Sequence, residues 1–423
     1  MMLQTKANSN LNKWYSTAIV LMPILNIYSA GISSLGVGDV FGVIMIVFLL
    51  INDRGKIKFN ERKYSQFAFY GIILSLVLTF IISNYSFAQF ILKCMRFIIY
   101  TILVVCYGRD KFDDEFGFGL YIKISVIAAC YLIIQYLFKT IFSISLPITV
   151  PYLKLLYSDA TGATYNEQLL QMYSIFGYRA PGFFKEPSHF CQYVVPAVAL
   201  LLFRSSRDAK RNVAIVIISI AVILSYSAIG YISLMATIVI WFVYTFNSRK
   251  IINNLFFLVV GSAALIFLSI KSGALSSALD RVQTINYTHA ATGNMRLLRG
   301  FYVYKEAPLF CKIFGIGFGN YSAFVDKFSI QTFFDTKLDK YSEYMSAISC
   351  VLLNTGAIGL ILYIRAIFDV FMRTKLVQKV IFVSFIIVII STSSFFSASY
   401  VLYMTLIVAS IDENKDEHRP ILP

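Results

Sequence analysis

Apolar blocks almost free of charge recur along the chain, near 14–33, 37–52, 65–83, 87–107, 118–138, 189–203, 212–227, 229–246, 255–270, 346–364, 380–396 and 398–411. Each is roughly 15–20 residues long, about what a helix rising ~1.5 Å per residue needs to cross a hydrocarbon core of ~30 Å. The pattern predicts an all-α, polytopic integral membrane protein of about 12 transmembrane helices, folded as a single transmembrane domain over residues 1–423. Most connections between blocks are tight. Two are long, 139–188 after the fifth block and 271–345 after the ninth, and structureless connections beyond ~15 residues usually carry function. Ser225, Ser227 and Gly230 mark either a tight turn between blocks seven and eight or a break within one helix.

Charge placement gives the blocks a sidedness, because Lys and Arg accumulate on the cytoplasmic side of short connections. Arg54, Lys56, Lys58, Arg62 and Lys63 follow block two, Arg109 and Lys111 block four, and Arg204, Arg207, Lys210 and Arg211 block six. Arg249 and Lys250, then Arg373, Lys375 and Lys379, continue the alternation, whereas the short opposite connections near 34–36, 84–86, 228 and 397 hold neither residue. Both termini are thereby expected in the cytoplasm, with the two long loops facing outward. Lys6 and Lys13 before the first block resemble a secretory leader, but a second block follows at once without a small-residue cleavage site, so the first helix is expected to be retained.

Composition agrees with lipid as the solvent. The chain of 423 residues is 58% apolar and 14% charged, against about 25% charged in soluble domains. A soluble, disordered, collagenous or coiled-coil protein is excluded. The formal net charge of +15 is dispersed between apolar blocks, with no long Lys/Arg tract, and membrane topology accounts for it without a nucleic-acid partner. Of the six cysteines, all but Cys311 lie in or beside apolar blocks and no CxxC pair occurs, so they read as small hydrophobes. His189, His289 and His418 stand at no metal-ligand spacing, and neither a metal nor another cofactor is expected.

Chemistry-bearing residues cluster at the ends of the long loops. Tyr178-Arg179-Ala180-Pro181-Gly182-Phe183-Phe184-Lys185-Glu186-Pro187-Ser188-His189 runs into block six, where Pro187 and Ser188 suit a helix start and the helix dipole favours an anion. The same residues fit an interfacial belt anchoring the helix. Pro196 within that block suggests a kink. In the second loop, Arg296 and Arg299 fall on one helical face, forming a fork for phosphate oxygens or the cationic face of a helix lying on anionic lipid. The glycines of Phe314-Gly315-Ile316-Gly317-Phe318-Gly319-Asn320-Tyr321 follow no strand and read as a flexible turn through which backbone approaches a ligand. Lys93 and Arg96 lie inside block four, where a charge demands a partner; no carboxylate stands out at similar depth, which suggests a lipid phosphate, although an acid not evident from sequence is the alternative. Glu343 at the start of block ten is either a general base or a surface acid balancing Lys340. Tyr321 and Tyr344, like Tyr157, Tyr165 and Tyr173, are candidate platforms for sugar rings or belt anchors.

Arg179-x-x-Gly-Phe-Phe-Lys-Glu-Pro before block six, Asn294-Met295-Arg296-Leu297-Leu298-Arg299-Gly300 followed by Phe314-Gly315-Ile316-Gly317, and Gly356-Ala357-Ile358-Gly359 in block ten together resemble the O-antigen polymerase (Wzy) family. The likeness extends over the whole topology through short, degenerate motifs. It implies a metal-independent glycosyltransferase of the bacterial inner membrane, joining polysaccharide repeat units carried on polyprenyl diphosphate at the periplasmic face, with both long loops periplasmic. Membrane lipid and a chain-length regulator protein are the further partners it implies. On this resemblance Arg179, Lys185, Arg296 and Arg299, with Arg96 and Lys93 deeper in, bind the diphosphate; Glu186, Glu343 or His189 takes the acceptor proton, and a single displacement inverts the anomeric centre. The related O-antigen ligases share the architecture but place a His-Asn pair about eleven residues before the first glycine of the block-ten motif, where this chain has Met345-Ser346. A lipid-linked oligosaccharide flippase is the rival from another class; short loops on both sides and internal repeats would mark it.

Overall fold

The computed structural model describes residues 2–31, 35–82, 87–150, 153, 156, 178–204, 209–245, 292–331 and 343–411. These form α1 (Met2–Leu25), α2 (Val37–Asn52), α3 (Arg62–Ile82), α4 (Phe87–Thr101, continued by a π-helical turn over Ile102–Tyr107), α5 (Asp114–Phe142), α6 (Pro187–Phe203), α7 (Ala209–Leu224) and α8 (Ala228–Thr245). After the undescribed stretch follow α9 (Thr292–Glu306), α10 (Leu309–Phe314), α11 (Tyr321–Lys327), α12 (Ala347–Arg373), α13 (Leu376–Ser391) and α14 (Ala398–Val408). No strand occurs among the described residues.

Five helical stretches, Arg62–Ile81, Phe90–Tyr107, Asp114–Phe142, Ala228–Thr245 and Ala347–Arg373, are long and apolar enough to cross a membrane. The chain is thus an all-α membrane protein. Shorter apolar helices, among them α2, α6, α13 and α14, pack with them. Large apolar side chains on the outer faces of α2 and α3 stay exposed, Phe41, Phe48, Phe69 and Phe80 among them, as lipid-facing residues must where hydrocarbon replaces water.

Every apolar block of the sequence except 255–270, which lies outside the described residues, coincides with a helix. Between α7 and α8 the chain makes a tight turn, with Tyr226 in the left-handed region at φ 53°. Helix α6 runs through Pro196 without interruption. Ends differ from the blocks: α1 starts earlier because Met2–Lys13, though polar, is helical, and α5 continues through Phe142, four residues into the predicted loop, to a left-handed C-cap at Ser143. The described part of the second long connection does not stand away from the bundle. Helices α9 and α10 pack on α12, and Phe318 is fully buried in a ring cluster with Phe97, Phe395 and Phe396.

Helix α12 is broken at Gly356 (φ 67°, ψ −173°). Its freed carbonyls are taken up by the glycine loop: the Ile316 amide donates to the Leu353 carbonyl at 3.0 Å and the Gly317 amide to that of Asn354 at 2.8 Å. A side chain on Gly315 or Gly356 would overlap the other strand of this contact. Those glycines bring backbone against backbone of the chain itself, where the sequence suggested approach to a ligand.

Ion pairs gather the basic connections at one end of the bundle. Lys111 pairs with Asp53 at 2.8 Å, Lys63 with Asp369 at 2.6 Å, Arg373 with Asp369 at 2.8 Å and with Glu61, and Arg204 with Asp114 at 3.4 Å. Five of the six cysteines, Cys311 included, are buried and all six are free thiols.

Candidate functional site

The start of α6, one face of α9 and the segment entering α12 meet at the other end of the bundle. Pro187 in the first turn fixes the entry of α6 and leaves Glu186 as its N-cap residue in extended conformation. Arg296 reaches it from α9, its guanidinium 3.0 Å from the Glu186 carboxylate, which also accepts from the Ser188 hydroxyl at 3.1 Å. Tyr344 completes the group: its hydroxyl accepts from Arg296 Nε, and the guanidinium carbon lies 4.7 Å from its ring centroid. The Ser346 amide donates to the Arg296 carbonyl at 2.6 Å and ties the two segments together.

Burial by itself would raise the Glu186 carboxyl, but the charges of His189 and Arg296, with the hydrogen bonds from Arg296 and Ser188, hold it down at about 2. The Arg296 guanidinium is correspondingly raised against its own burial by Glu186 and Tyr344. Tyr344 is raised, chiefly by burial, with Arg296 opposing. His189 stands one turn into α6, half-buried, and interacts electrostatically with Glu186, Arg296 and Lys185.

Adjoining this group, Lys93 of α4 pairs with Glu343 at 2.5 Å. Glu343 immediately precedes Tyr344. Two residues that the sequence offered as an anion ligand and a base therefore neutralise each other. Arg96, one turn further along α4, is bound to Asp39 of α2 at 2.9 Å. Asp39 also accepts from Tyr100 at 2.7 Å, Asn26 at 2.9 Å and the Gly36 amide at 3.0 Å. Here is the carboxylate that the sequence did not bring forward. A single Asp in an apolar block, facing a single Arg in another, was the available signal, since neither is stable in a membrane without the other.

The remaining candidates lie apart from this centre or deeper. Arg299 follows Arg296 by one turn, fully buried, its guanidinium 6.0 Å from the ring of Tyr321. Tyr321 is itself buried, with 2% of its surface exposed, which gives it a packing position rather than an open sugar platform. Arg179 donates to the Tyr226 carbonyl at 2.5 Å at the turn between α7 and α8. Tyr157, Tyr165 and Tyr173 lie outside the described residues, as do His289 and His418. No group of three or more His, Cys, Asp or Glu suited to a metal occurs among the described residues. The chain matches no family model, and no curated protein matches it.

Proposed function

We propose that this protein is a polysaccharide polymerase, joining oligosaccharide repeat units carried on polyprenyl diphosphate at the outer face of a bacterial inner membrane. In this reading the chain has twelve spans with both termini in the cytoplasm, as its charge bias suggests, the Glu186–Arg296–Tyr344 group faces the periplasm, and the resemblance to O-antigen polymerases supplies the reaction class. One observation carries the reading: at the mouth of α6 Arg296 pairs with Glu186 beside His189, and Lys93 pairs with Glu343, the residue before the Tyr344 that holds Arg296. That is where a lipid-anchored diphosphate would present its phosphates, and cations there stabilise the charge that develops on a leaving diphosphate.

In the reaction the acceptor sugar hydroxyl attacks the anomeric carbon of the donor. The C–O bond to the carrier breaks with its electron pair remaining on the diphosphate, where Arg296 and Lys93 oppose the new charge and Lys185 adds to the field. Glu186, with His189 beside it, receives the hydroxyl proton. A single displacement inverts the centre, and the diphosphate ester supplies the free energy. Arg299, one turn behind Arg296, contributes a buried positive charge, whereas Arg96 is committed to Asp39 and Tyr321 to packing, so both are left out of the substrate set.

The test is extension of a purified lipid-linked repeat unit by the purified protein, with the polymer ladder in cells as the second readout. Arg296→Ala at normal protein level should abolish the ladder, and Arg296→Lys should restore part of it, because an ammonium keeps the charge but lacks the planar fork. A normal ladder from Arg296→Ala refutes the reading, and movement of the lipid-linked unit across vesicles without extension would make the protein a flippase.

A further inference from the structure

The two ion pairs at the site differ from the one buried beneath them. Asp39 has 1% of its side chain exposed and keeps three hydrogen-bond donors besides Arg96; opening that pair would strand a buried charge. Glu186 and Glu343 are 27% and 15% exposed, and their cations Arg296 and Lys93 are 18% and 34% exposed. Both pairs are partly exposed. They are also linked, since Glu343 and Tyr344 are neighbours with Cα atoms ~3.8 Å apart and Tyr344 holds Arg296 through its hydroxyl.

We infer that these pairs form a latch opened by the substrate: diphosphate oxygens replace Glu186 on Arg296 and Glu343 on Lys93, and the displaced Glu186 becomes the proton acceptor. The inference rests on the reading given above and deepens it. A carboxylate held at about 2 against its burial by the charges of His189 and Arg296 is a poor base. Once its cation turns to the diphosphate, and a multiply charged anion stands close by, protonation becomes favourable. The hydroxyl proton then passes to Glu186 as the new C–O bond forms and the electron pair of the breaking bond stays on the diphosphate.

The carboxylates must then compete with the ligand for the cations. Binding of inorganic pyrophosphate and of farnesyl diphosphate to the purified full-length protein in lipid nanodiscs, followed by calorimetry, reads that competition. Glu186→Gln should bind both probes about tenfold more tightly than the wild type, as expected for a lost charged hydrogen bond, and should extend chains about a hundredfold more slowly. Glu343→Gln should tighten binding in the same direction. Glu186→Asp keeps the charge but shortens the arm, so its affinity should fall between wild type and Gln; it serves if the Gln protein does not fold. Unchanged or weaker affinity in these variants, with Arg296→Ala still abolishing binding, overturns the latch and leaves the polymerase reading standing. Absence of diphosphate binding in the wild type overturns both.

Discussion

Glu61 and Glu186 both sit beside an arginine, yet they are displaced in opposite directions. Glu61 pairs with Arg373 with 1% of its side chain exposed, and its Oε1 has no hydrogen-bond partner among the described residues. Burial there outweighs the attraction of Arg373 and raises the carboxyl, whereas at the wetter Glu186 charge and hydrogen bonds win. A carboxyl raised in the folded state contributes stability that is present below its unfolded value and is lost as pH rises through the folded one. Glu61→Gln mimics the protonated form, so its melting temperature relative to wild type should climb between pH 5 and pH 8. A constant difference over that interval would show that the Arg373 pair, not burial, dominates, because a depressed carboxyl is already ionised in both states there. Pairs such as Lys93–Glu343 could not be read from sequence, because the partners are far apart in the chain and nothing local selects one acid among many. The helix mouth at Pro187–Ser188 was legible because capping is local.

At the scale of elements, the helices were legible where apolar blocks were long and uniform; the start of α12 falls where its block begins, whereas the Asp113 cap starts α5 four residues ahead of its block. The polar helical stretch Met2–Lys13 was not legible, since no apolar run marks it, whereas the i, i+3 spacing of Arg296 and Arg299 did point to the helix over Thr292–Glu306. The glycines of Phe314–Asn320 were visible but their partner was not, because the meeting of that loop with the break in α12 is a tertiary event. It carries a strong prediction. At Gly356, φ is 67° and an added Cβ would collide with the Ile313 carbonyl. Gly356→Ala should cost about 1–3 kcal/mol from overlap alone, visible as a lower melting temperature and a reduced folded yield in size-exclusion chromatography. Gly55→Ala is the control: its φ of 72° is also left-handed, but nothing lies within 4 Å of the new Cβ, so only the backbone strain of roughly 1 kcal/mol remains. Equal effects at the two positions would remove the argument that the loop seals the break.

For the whole molecule the decisive question is which side of the membrane holds which end. Ion pairs join Asp53, Glu61, Lys111, Asp114, Arg204 and Arg373 at one end, and the site group lies at the other, near the end of α3 where Lys327 donates to the Ile81 carbonyl at 3.1 Å. Charge bias assigns the first end to the cytoplasm. Single cysteines in a cysteine-free background convert that assignment into a measurement. With a membrane-impermeant maleimide applied to spheroplasts, Gly31→Cys, Ser329→Cys and Ser393→Cys, all at exposed positions, should label at once. Lys56→Cys, Asp110→Cys and Lys375→Cys, exposed at the opposite end, should label only after the membrane is opened. The reverse pattern would put Arg296 and Glu186 in the cytoplasm and leave the periplasmic polymerase without its site. Labelling of both sets in intact cells would break the two-ended arrangement itself, and with it the reason for expecting a lipid-anchored diphosphate at the mouth of α6.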